Sequence, residues 1–512
     1  MTKVRVRFAP SPTGPLHIGG IRTALFNYLF ARKHKGNFIL RIEDTDQTRC
    51  IPGAEEYIIN SLKWCDIDFD EGPGIGGIYN PYRQSERKEI YKKYASELIN
   101  REFAYYAFDT HEELERMRKE YEEKKMTFSY DASTRTSLKN SLNISKTETE
   151  KLIKNNTPYT LRFKIPENEE IKINDIIRGE VIFNTSSLDD KVIFKSDGLP
   201  TYHLANIVDD YLMEITHVIR GEEWLPSLPL HIMLYRALGW EQSIPEFAHL
   251  PLILKPGGKG KLSKRDGDRE GFPVFPIEWK SPEGEISKGF KEWGYFPESF
   301  INILAFLGWN PGTEQEIFSK EELIDKFSLK NIGKAGARFD PEKAKWYNQQ
   351  YLKNKPDNEL ADSFAEILKQ KNVKAEKEYL VKVIGLVKER VCFISELWEQ
   401  SYYFFEAPAY YDPNALKKFW KNDTADIIFK ITELLRKANP FSSSVIETIV
   451  KEFIEKNGIG FGKVMNPLRI LIVGSNFGPH LFDIIELLGR EEVLKRINNG
   501  VTTIMQGKVS SG

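Results

Sequence analysis

Apolar and polar positions change period several times along the chain. Val4-Arg5-Val6-Arg7-Phe8 alternates with a period of two and predicts a short strand. Pro10, Pro12, Pro15 and Gly14 then forbid regular structure over residues 10–15. Ile21, Leu25, Tyr28 and Leu29 recur at spacings of three and four, so a helix opens at His17-Ile-Gly-Gly20. Asn37-Phe-Ile-Leu-Arg-Ile-Glu43 is an apolar run that predicts a buried parallel strand with Glu43 at its carboxyl end. Strand, helix and strand at this spacing make a βαβ unit. Two further helices are expected over 53–66 and 84–101, the second with a charged, capped start at Ser85-Glu-Arg-Lys-Glu89.

Between 103 and 190 the texture changes. A highly charged helix is expected over 111–125, and residues 159–165 and 180–183 alternate as strands. This stretch reads as an insertion between two halves of one sheet. The sheet resumes at Lys191-Val-Ile-Phe-Lys195, and a turn over 196–201 leads into a helix bearing Tyr202, His203 and Asn206. Thr216-His-Val-Ile-Arg220 predicts another strand, and Gly221-Glu-Glu-Trp224 opens the next helix. From about residue 320 the strand signals fade. Helical periodicity takes over at 320–327, 356–371, 376–400, 413–438, 443–457 and 480–498. The expected fold class is therefore α/β with an insertion, followed by an all-α region.

Composition narrows the picture. A chain of 512 residues exceeds a single core and should divide into about two to four domains. A hydrophobic content of 41% and a charged content of 29% are those of a globular protein. No apolar run reaches membrane-crossing length, and the opening Met1-Thr-Lys-Val-Arg-Val-Arg7 lacks the apolar core of a secretory signal. Cys50, Cys65 and Cys392 are scattered and odd in number, which argues against a disulfide framework and for a reducing, cytoplasmic setting. A net charge of −1 gives no global pull toward nucleic acid, so any such contact must come from local basic surface.

Two stretches carry candidate chemistry. The helix opening at His17 offers unpaired N–H groups and partial positive charge, which suit phosphate, and Gly19 and Gly20 allow a flat base or a phosphate to approach the backbone. Far downstream, Lys261-Leu-Ser-Lys-Arg265 lies between Pro256-Gly-Gly-Lys-Gly260 and Asp266-Gly-Asp268. Glycines on both sides imply a mobile loop whose two lysines close over a polyphosphate and neutralise a leaving pyrophosphate. The plainer alternatives are an ordinary strand–turn–helix unit and a solvated basic loop. Glu43 and Arg220 end strands, where open α/β sheets place ligands. A guanidinium forks two bonds to a carboxylate, which a lysine cannot, and Tyr202 would add a hydroxyl donor. A surface acid and a surface ion pair are the alternatives. His203, His217, His231 and His249 lack ligand-like spacing and read as packing or surface groups.

Seven motifs together resemble class I aminoacyl-tRNA synthetases, and within them the bacterial-type glutamyl-tRNA synthetases. They are Arg7-Phe-Ala-Pro-Ser-Pro-Thr-Gly14, His17-Ile-Gly-Gly20, Arg41-Ile-Glu-Asp-Thr-Asp46, Pro81-Tyr-Arg-Gln-Ser85, Thr201-Tyr-His-Leu-Ala-Asn206, Val218-Ile-Arg-Gly-Glu-Glu-Trp224 and Lys261-Leu-Ser-Lys-Arg265. The resemblance runs over nearly the whole chain. Gly20 departs from the general class signature, which often has a second histidine there, but the glutamyl branch often lacks it.

The resemblance implies a Rossmann-like catalytic domain in two halves, 1–103 and 191–250, with an acceptor-binding insertion at 104–190. A lysine-loop and stem-contact region over 251–320 and two helical anticodon-binding subdomains, 321–400 and 401–512, would follow. The implied reaction joins L-glutamate to tRNA(Glu) through a glutamyl-adenylate, consuming ATP and releasing diphosphate and then AMP. A carboxylate is already nucleophilic, so positioning and charge stabilisation would suffice. His17, Lys261 and Lys264 would carry catalysis. His17, Gly19, Gly20, Glu223, Leu254 (through its backbone), Lys261, Ser263 and Lys264 would bind ATP with Mg²⁺. Arg7, Ala9, Ser11, Glu43, Tyr202, Asn206 and Arg220 would form the glutamate pocket, with Glu43 on the α-amino group.

Arg390, in Val387-Lys-Glu-Arg-Val391, falls where the family has an anticodon-reading arginine, and Met465-Asn-Pro-Leu-Arg469 and Gly489-Arg-Glu-Glu-Val493 match its C-terminal texture. Some relatives carry a cysteine-based zinc site in the insertion. The matching stretch here, Tyr105-Tyr-Ala-Phe108, has no cysteine, so no zinc is expected. A cytoplasmic monomer is expected. The segment 266–300 is longer than the family pattern and is expected to be an extended loop. The alternatives are a glutaminyl-tRNA synthetase, a short relative that glutamylates a modified tRNA base, and a non-catalytic RNA-binding paralogue. A helical tail argues against the first, the length after the lysine loop against the second, and retention of His17 with both lysines against the third. Charging of tRNA(Gln) as well is left open.

Overall fold

Strand β1 (Arg5–Phe8) pairs in parallel with β2 (Asn37–Leu40), Val6 opposite Phe38, and α1 (Ile18–Lys33) crosses between them. The helix is buried on nearly every side, as a helix apolar all round must be. The structure, a computed structural model, describes residues 3–506, and the chain falls into two compact units divided between Ala344 and Lys345.

In the first unit the chain continues through α2 (Ala54–Trp64), a 3-10 turn at Gln84–Arg87, α3 (Lys88–Asn100), β3 (Ala104–Ala107), α4 (His111–Glu123) and α5 (Lys146–Lys154). Strands β4 (Thr160–Phe163), β5 (Glu170–Asp175), β6 (Gly179–Asn184) and β7 (Val192–Phe194) come next. Then follow α6 (Tyr202–Leu212), β8 (His217–Gly221), α7 (Leu228–Ala237), β9 (Glu246–Leu250), β10 (Ile253–Leu254) and α8 (Lys264–Glu270).

β8 and β9 run parallel with Arg220 opposite His249, and β5 joins the far side of β9, giving the order β6-β5-β9-β8. The Thr216 N–H donates to Arg5 C=O at 2.9 Å and so ties the start of β8 to β1. The stretch expected as a single insertion is thus shared between two sheets. β3, β4 and β7 form a separate antiparallel sheet, while β5 and β6 extend the one that carries Arg220. Ile171 and Ile173 of β5 are buried at alternate positions in the same core as Leu161 and Phe163 of β4 and Ile193 and Phe194 of β7.

Other departures have local causes. β2 ends at Leu40, beyond which the Arg41 N–H still donates to Phe8 at the end of β1, the Ile42 N–H turns to the Tyr82 carbonyl and the Glu43 N–H to Pro10 in the proline turn. The segment 266–300 is packed. It contains α8, a hairpin of Trp279–Lys280 against Ile286–Ser287, and a helix at Pro297–Ala305. Phe272, Val274, Phe275, Trp279 and Phe290 are buried within it, which an extended loop would not allow.

In the second unit the described residues form helices and 3-10 turns without a strand. The span 376–400 breaks after Lys377–Val387 into 3-10 turns, and 413–438 divides into Pro413–Phe419 and Thr424–Lys437. Gly489, with φ +78°, separates Leu481–Leu488 from Arg490–Met505. Helices Pro341–Asn354 and Phe461–Val473 were not expected from periodicity. Among the described residues no helix is long and apolar enough to cross a membrane.

Candidate active site

The carboxyl ends of β1, β2 and β8 open on a cleft of about 900 Å³ in the first unit. Arg7, Ala9, Ser11, His17, Gly19, Gly20, Glu43, Tyr202, Asn206, Arg220, Glu223 and Lys261 all line it. Residues from both distant motifs therefore face one cavity. Leu254, Ser263 and Lys264 do not line it. The Leu254 carbonyl accepts from Phe339 N–H at 3.0 Å. Ser263 caps α8 with Asp266, and Lys264 Nζ lies 3.9 Å from Glu285. The lysine segment is thus a cap and first turn of a short helix, with glycines only on its amino-terminal side in the loop.

His17 is the N-cap of α1, and its Nδ1 accepts from Gly19 N–H at 3.3 Å. Burial, aided by the Lys261 charge, brings its pKa down to about 4. A neutral imidazole with Nδ1 accepting carries its proton on Nε2. That atom is shielded from solvent and has no hydrogen-bond partner. The expectation of open N–H groups at this helix start is corrected here. Ile18 N–H donates to Val274 C=O at 3.0 Å, Gly19 to the His17 ring and Gly20 to His17 C=O at 2.8 Å. The donor presented by this turn is the imidazole. A side chain at Gly20 would place its Cβ 2.4 Å from Leu16 Cδ1, whereas at Gly19 the nearest atom is 3.8 Å away.

A buried ion network backs the pocket. Arg7 forks to Asp210 with bonds of 3.0 and 3.3 Å, and Arg41 reaches Asp210 at 2.7 Å. Burial pushes the Asp210 carboxyl up, but the two arginines outweigh it and hold it low. Glu43 Oε1 accepts from Arg41 Nη2 and Asn206 Nδ2, each at 3.2 Å. Burial nonetheless raises its pKa against Arg41 and Arg7. These contacts aim Glu43 and Asn206 into the cleft from opposite sides.

Arg220 is 5% exposed. Its Nε donates to His249 Nε2 at 3.0 Å, its Nη1 to Tyr202 OH at 2.8 Å and its Nη2 to the Trp224 carbonyl at 3.3 Å. None of these partners is a carboxylate. Two of its five N–H groups remain, one on each terminal nitrogen, which is the fork that matches a carboxylate. Lys261 Nζ donates to Glu223 Oε1 at 3.0 Å across the opposite part of the cleft. Burial raises the Glu223 carboxyl, but its own backbone N–H and Lys261 outweigh that and lower it.

Sequence reasoning missed several groups at this site. The Trp224 ring packs on Tyr202 at 4.4 Å, and Phe275 meets the His17 ring edge-on at 6.3 Å. Asp210 and His249 hold the two arginines. Of these, the Asp209-Asp210 pair, directly after the apolar Ile207-Val208 and buried on α6, is the one signal in the sequence. Arg390 lies in the second unit, exposed in a 3-10 turn near the charge of Arg469. Tyr105, in the stretch matched to the zinc site of some relatives, is buried with its OH on Asp190 at 2.6 Å. Among the described residues no three His, Cys, Asp or Glu side chains stand together as metal ligands.

This cleft belongs to a recognised class. Residues 3–346 match the family of class I tRNA synthetases (E and Q), catalytic domain, and residues 359–501 match an anticodon binding domain. The chain belongs to the class I tRNA synthetases of the E and Q type. More particularly, it is 57% identical over 504 residues to the glutamate–tRNA ligase of Christiangramia forsetii, covering 98% of this chain and 99% of that one. It is 57% identical to the glutamate–tRNA ligase of Flavobacterium johnsoniae, over 98% and 99% of the two chains. Among solved structures, a glutamate tRNA ligase from Elizabethkingia meningosepticum in complex with its amino acid superposes with a TM-score of 0.94 at 50% identity, covering 98% of this chain and 99% of that one.

Proposed function

We propose that this chain joins L-glutamate to tRNA(Glu) through a glutamyl-adenylate, consuming ATP and releasing diphosphate and AMP. The observation that carries the reading is the buried, carboxylate-free fork of Arg220 in the same cleft as His17 and Lys261. Arg220 and Tyr202 take the side-chain carboxylate of glutamate. Glu43, steered by Arg41 and Asn206, takes the α-amino group, and Arg7, Ala9 and Ser11 complete the pocket.

The α-carboxylate attacks the α-phosphorus in line, without a general base. Mg²⁺ would enter with ATP and neutralise part of the phosphate charge, with water completing its shell. His17 donates from Nε2 to phosphate, Gly19 and Gly20 leave room for the nucleotide, and Glu223 and the Leu254 backbone contact it. Lys261 exchanges Glu223 for the departing pyrophosphate. Ser263 and Lys264 reach the phosphates when the glycine-bearing stretch 256–260 lets the segment close. The adenylate then passes its glutamyl group to the terminal ribose of the tRNA.

The six-part division, with an acceptor-binding insertion at 104–190 and anticodon subdomains from 321, belongs to this proposal, as do Arg390 on the anticodon, a cytoplasmic setting and a monomeric state. The test is to offer pure tRNA(Glu) and tRNA(Gln) side by side with labelled glutamate and, in separate reactions, with labelled glutamine. Charging of tRNA(Glu) alone is expected. Charging of neither, or glutamine accepted in place of glutamate, contradicts the reading.

A further inference from the structure

Behind Arg220 lies a short chain of buried polar groups that the reaction as described does not use. Asp175, His249 and Arg220 are 1%, 0% and 5% exposed. Asp175 ends β5, and His249 lies on β9 opposite Arg220 of β8. The Asp175 carboxylate is itself over-determined. Its Oδ1 accepts from the N–H groups of Ile177 and Arg178 at 2.9 and 2.8 Å. Its Oδ2 takes the His249 backbone N–H at 3.1 Å and His249 Nδ1 at 2.6 Å. His249 Nε2 then faces Arg220 Nε at 3.0 Å.

Arg220 Nε–H can only donate, so His249 Nε2 must accept, and the ring proton must sit on Nδ1. Asp175 enforces that tautomer, because a carboxylate can only accept. Burial lowers the His249 pKa, partly opposed by the bond to Asp175, which agrees with a neutral ring. Each member therefore has one permitted polarity, and the series ends in the plane of the guanidinium. Tyr202 and the Trp224 carbonyl hold the two terminal nitrogens, and His249 holds the third, so the plane has no freedom left.

We propose that Asp175 and His249 are positioning residues that fix the Arg220 fork for the substrate carboxylate, and so set selection of glutamate over glutamine. This rests on the reading of Arg220 as the glutamate-binding arginine. His249 touches no substrate and acts through Arg220. Replacing Asp175 by Asn keeps the oxygen that caps Ile177 and Arg178 but turns an N–H toward the imidazole and the His249 backbone N–H. The ring proton then moves to Nε2, where it meets the Arg220 N–H head-on. Replacing His249 by Phe removes both bonds. Replacing it by Gln keeps a donor for Asp175 and an acceptor for Arg220.

The experiment compares Asp175→Asn, His249→Phe and His249→Gln in the full-length protein with tRNA(Glu). For the first two, the KM for glutamate should rise about 10- to 100-fold, the loss of a bond to a charged group, with the KM for ATP within about twofold. The preference for glutamate over glutamine should fall with it. His249→Gln should stay within about fivefold of the unaltered protein. Folded Asp175→Asn and His249→Phe proteins with an unchanged glutamate KM overturn the proposal. So does a His249→Gln protein that loses as much as His249→Phe, with the ATP KM rising in parallel. Nitrogen-15 spectra of histidine-labelled unaltered protein provide a readout independent of folding of the variants. They should show His249 protonated on Nδ1 alone, and a proton on Nε2 overturns the relay. Failure of the unaltered protein to charge glutamate would instead refute the glutamate reading, while the spectrum still decides the relay.

Discussion

A single proton distinguishes His17 as donor from His17 as charge. Burial and Lys261 bring its pKa to about 4 from 6.5, so at neutral pH it is an uncharged donor. Between those two values the unfolded chain holds a proton that the folded protein does not, so stability falls as pH drops through that window. His17→Gln should shrink the stability difference between pH 7 and pH 5 by about 1–2 kcal/mol, read by denaturant unfolding of the first unit. An unchanged difference would place the ring in water. Lys264→Ala should lower ATP–pyrophosphate exchange by about 100- to 1,000-fold, although Lys264 rests outside the cleft beside Glu285. Near-normal exchange would remove it from the mechanism. Arg220→Ala should abolish the choice of glutamate over glutamine, because it removes the buried guanidinium held beside Tyr202 in the pocket. Of this site, most of the residues that line the cleft are legible in the motifs. Those that hold them are not, because Asp210 and His249 act through contacts across 203 and 29 residues of chain. No local period encodes such a pair.

At the scale of elements, the segment 266–300 illustrates where periodicity stops. Phe272, Phe275 and Trp279 stand at helical spacings of three and four, but Pro273 and Pro276 between them forbid a helix, and these rings are buried in an irregular chain with Val274. They pack an irregular chain against the start of α1, where Val274 C=O takes the Ile18 N–H, and against α2, where Ile277 C=O takes Tyr57 OH at 2.7 Å. This segment thus builds one wall of the His17 environment. A Cβ at Gly289 would stand 2.4 Å from the Ile277 backbone carbon, which cannot swing aside as a side chain could. Gly289→Ala should therefore destabilise the first unit by about 1–3 kcal/mol and weaken ATP binding through His17, seen as a lowered melting temperature and a raised KM for ATP. A neutral substitution would show that the segment is not fixed at that point. Long helices such as the apolar Ile18–Lys33 and the amphipathic Ser443–Lys456 are legible in the sequence. The breaks at Val387 and Gly489 are not, since an apolar period runs through a one-residue change of direction.

At the scale of the molecule, the chain forms two compact units, each with its own buried core. Leu25, Ile39 and Val218 are buried in the first, and Phe364, Ile431 and Leu471 in the second. Calorimetry should resolve two transitions, and saturating ATP with glutamate should raise the one belonging to the first unit alone, by about 2.7 kcal/mol at a hundredfold excess over the dissociation constant. A single transition, or an equal shift of both, would contradict that division. The account as a whole depends on His17, Lys261 and Arg220 serving one ATP and one amino acid in one cleft. ATP–pyrophosphate exchange with tRNA(Glu) present, run in parallel with glutamate and with glutamine, tests this most directly. The account predicts exchange with glutamate that is lost in Lys261→Ala and His17→Ala proteins and is absent with glutamine. Exchange supported equally by glutamine, or surviving both substitutions, would contradict it.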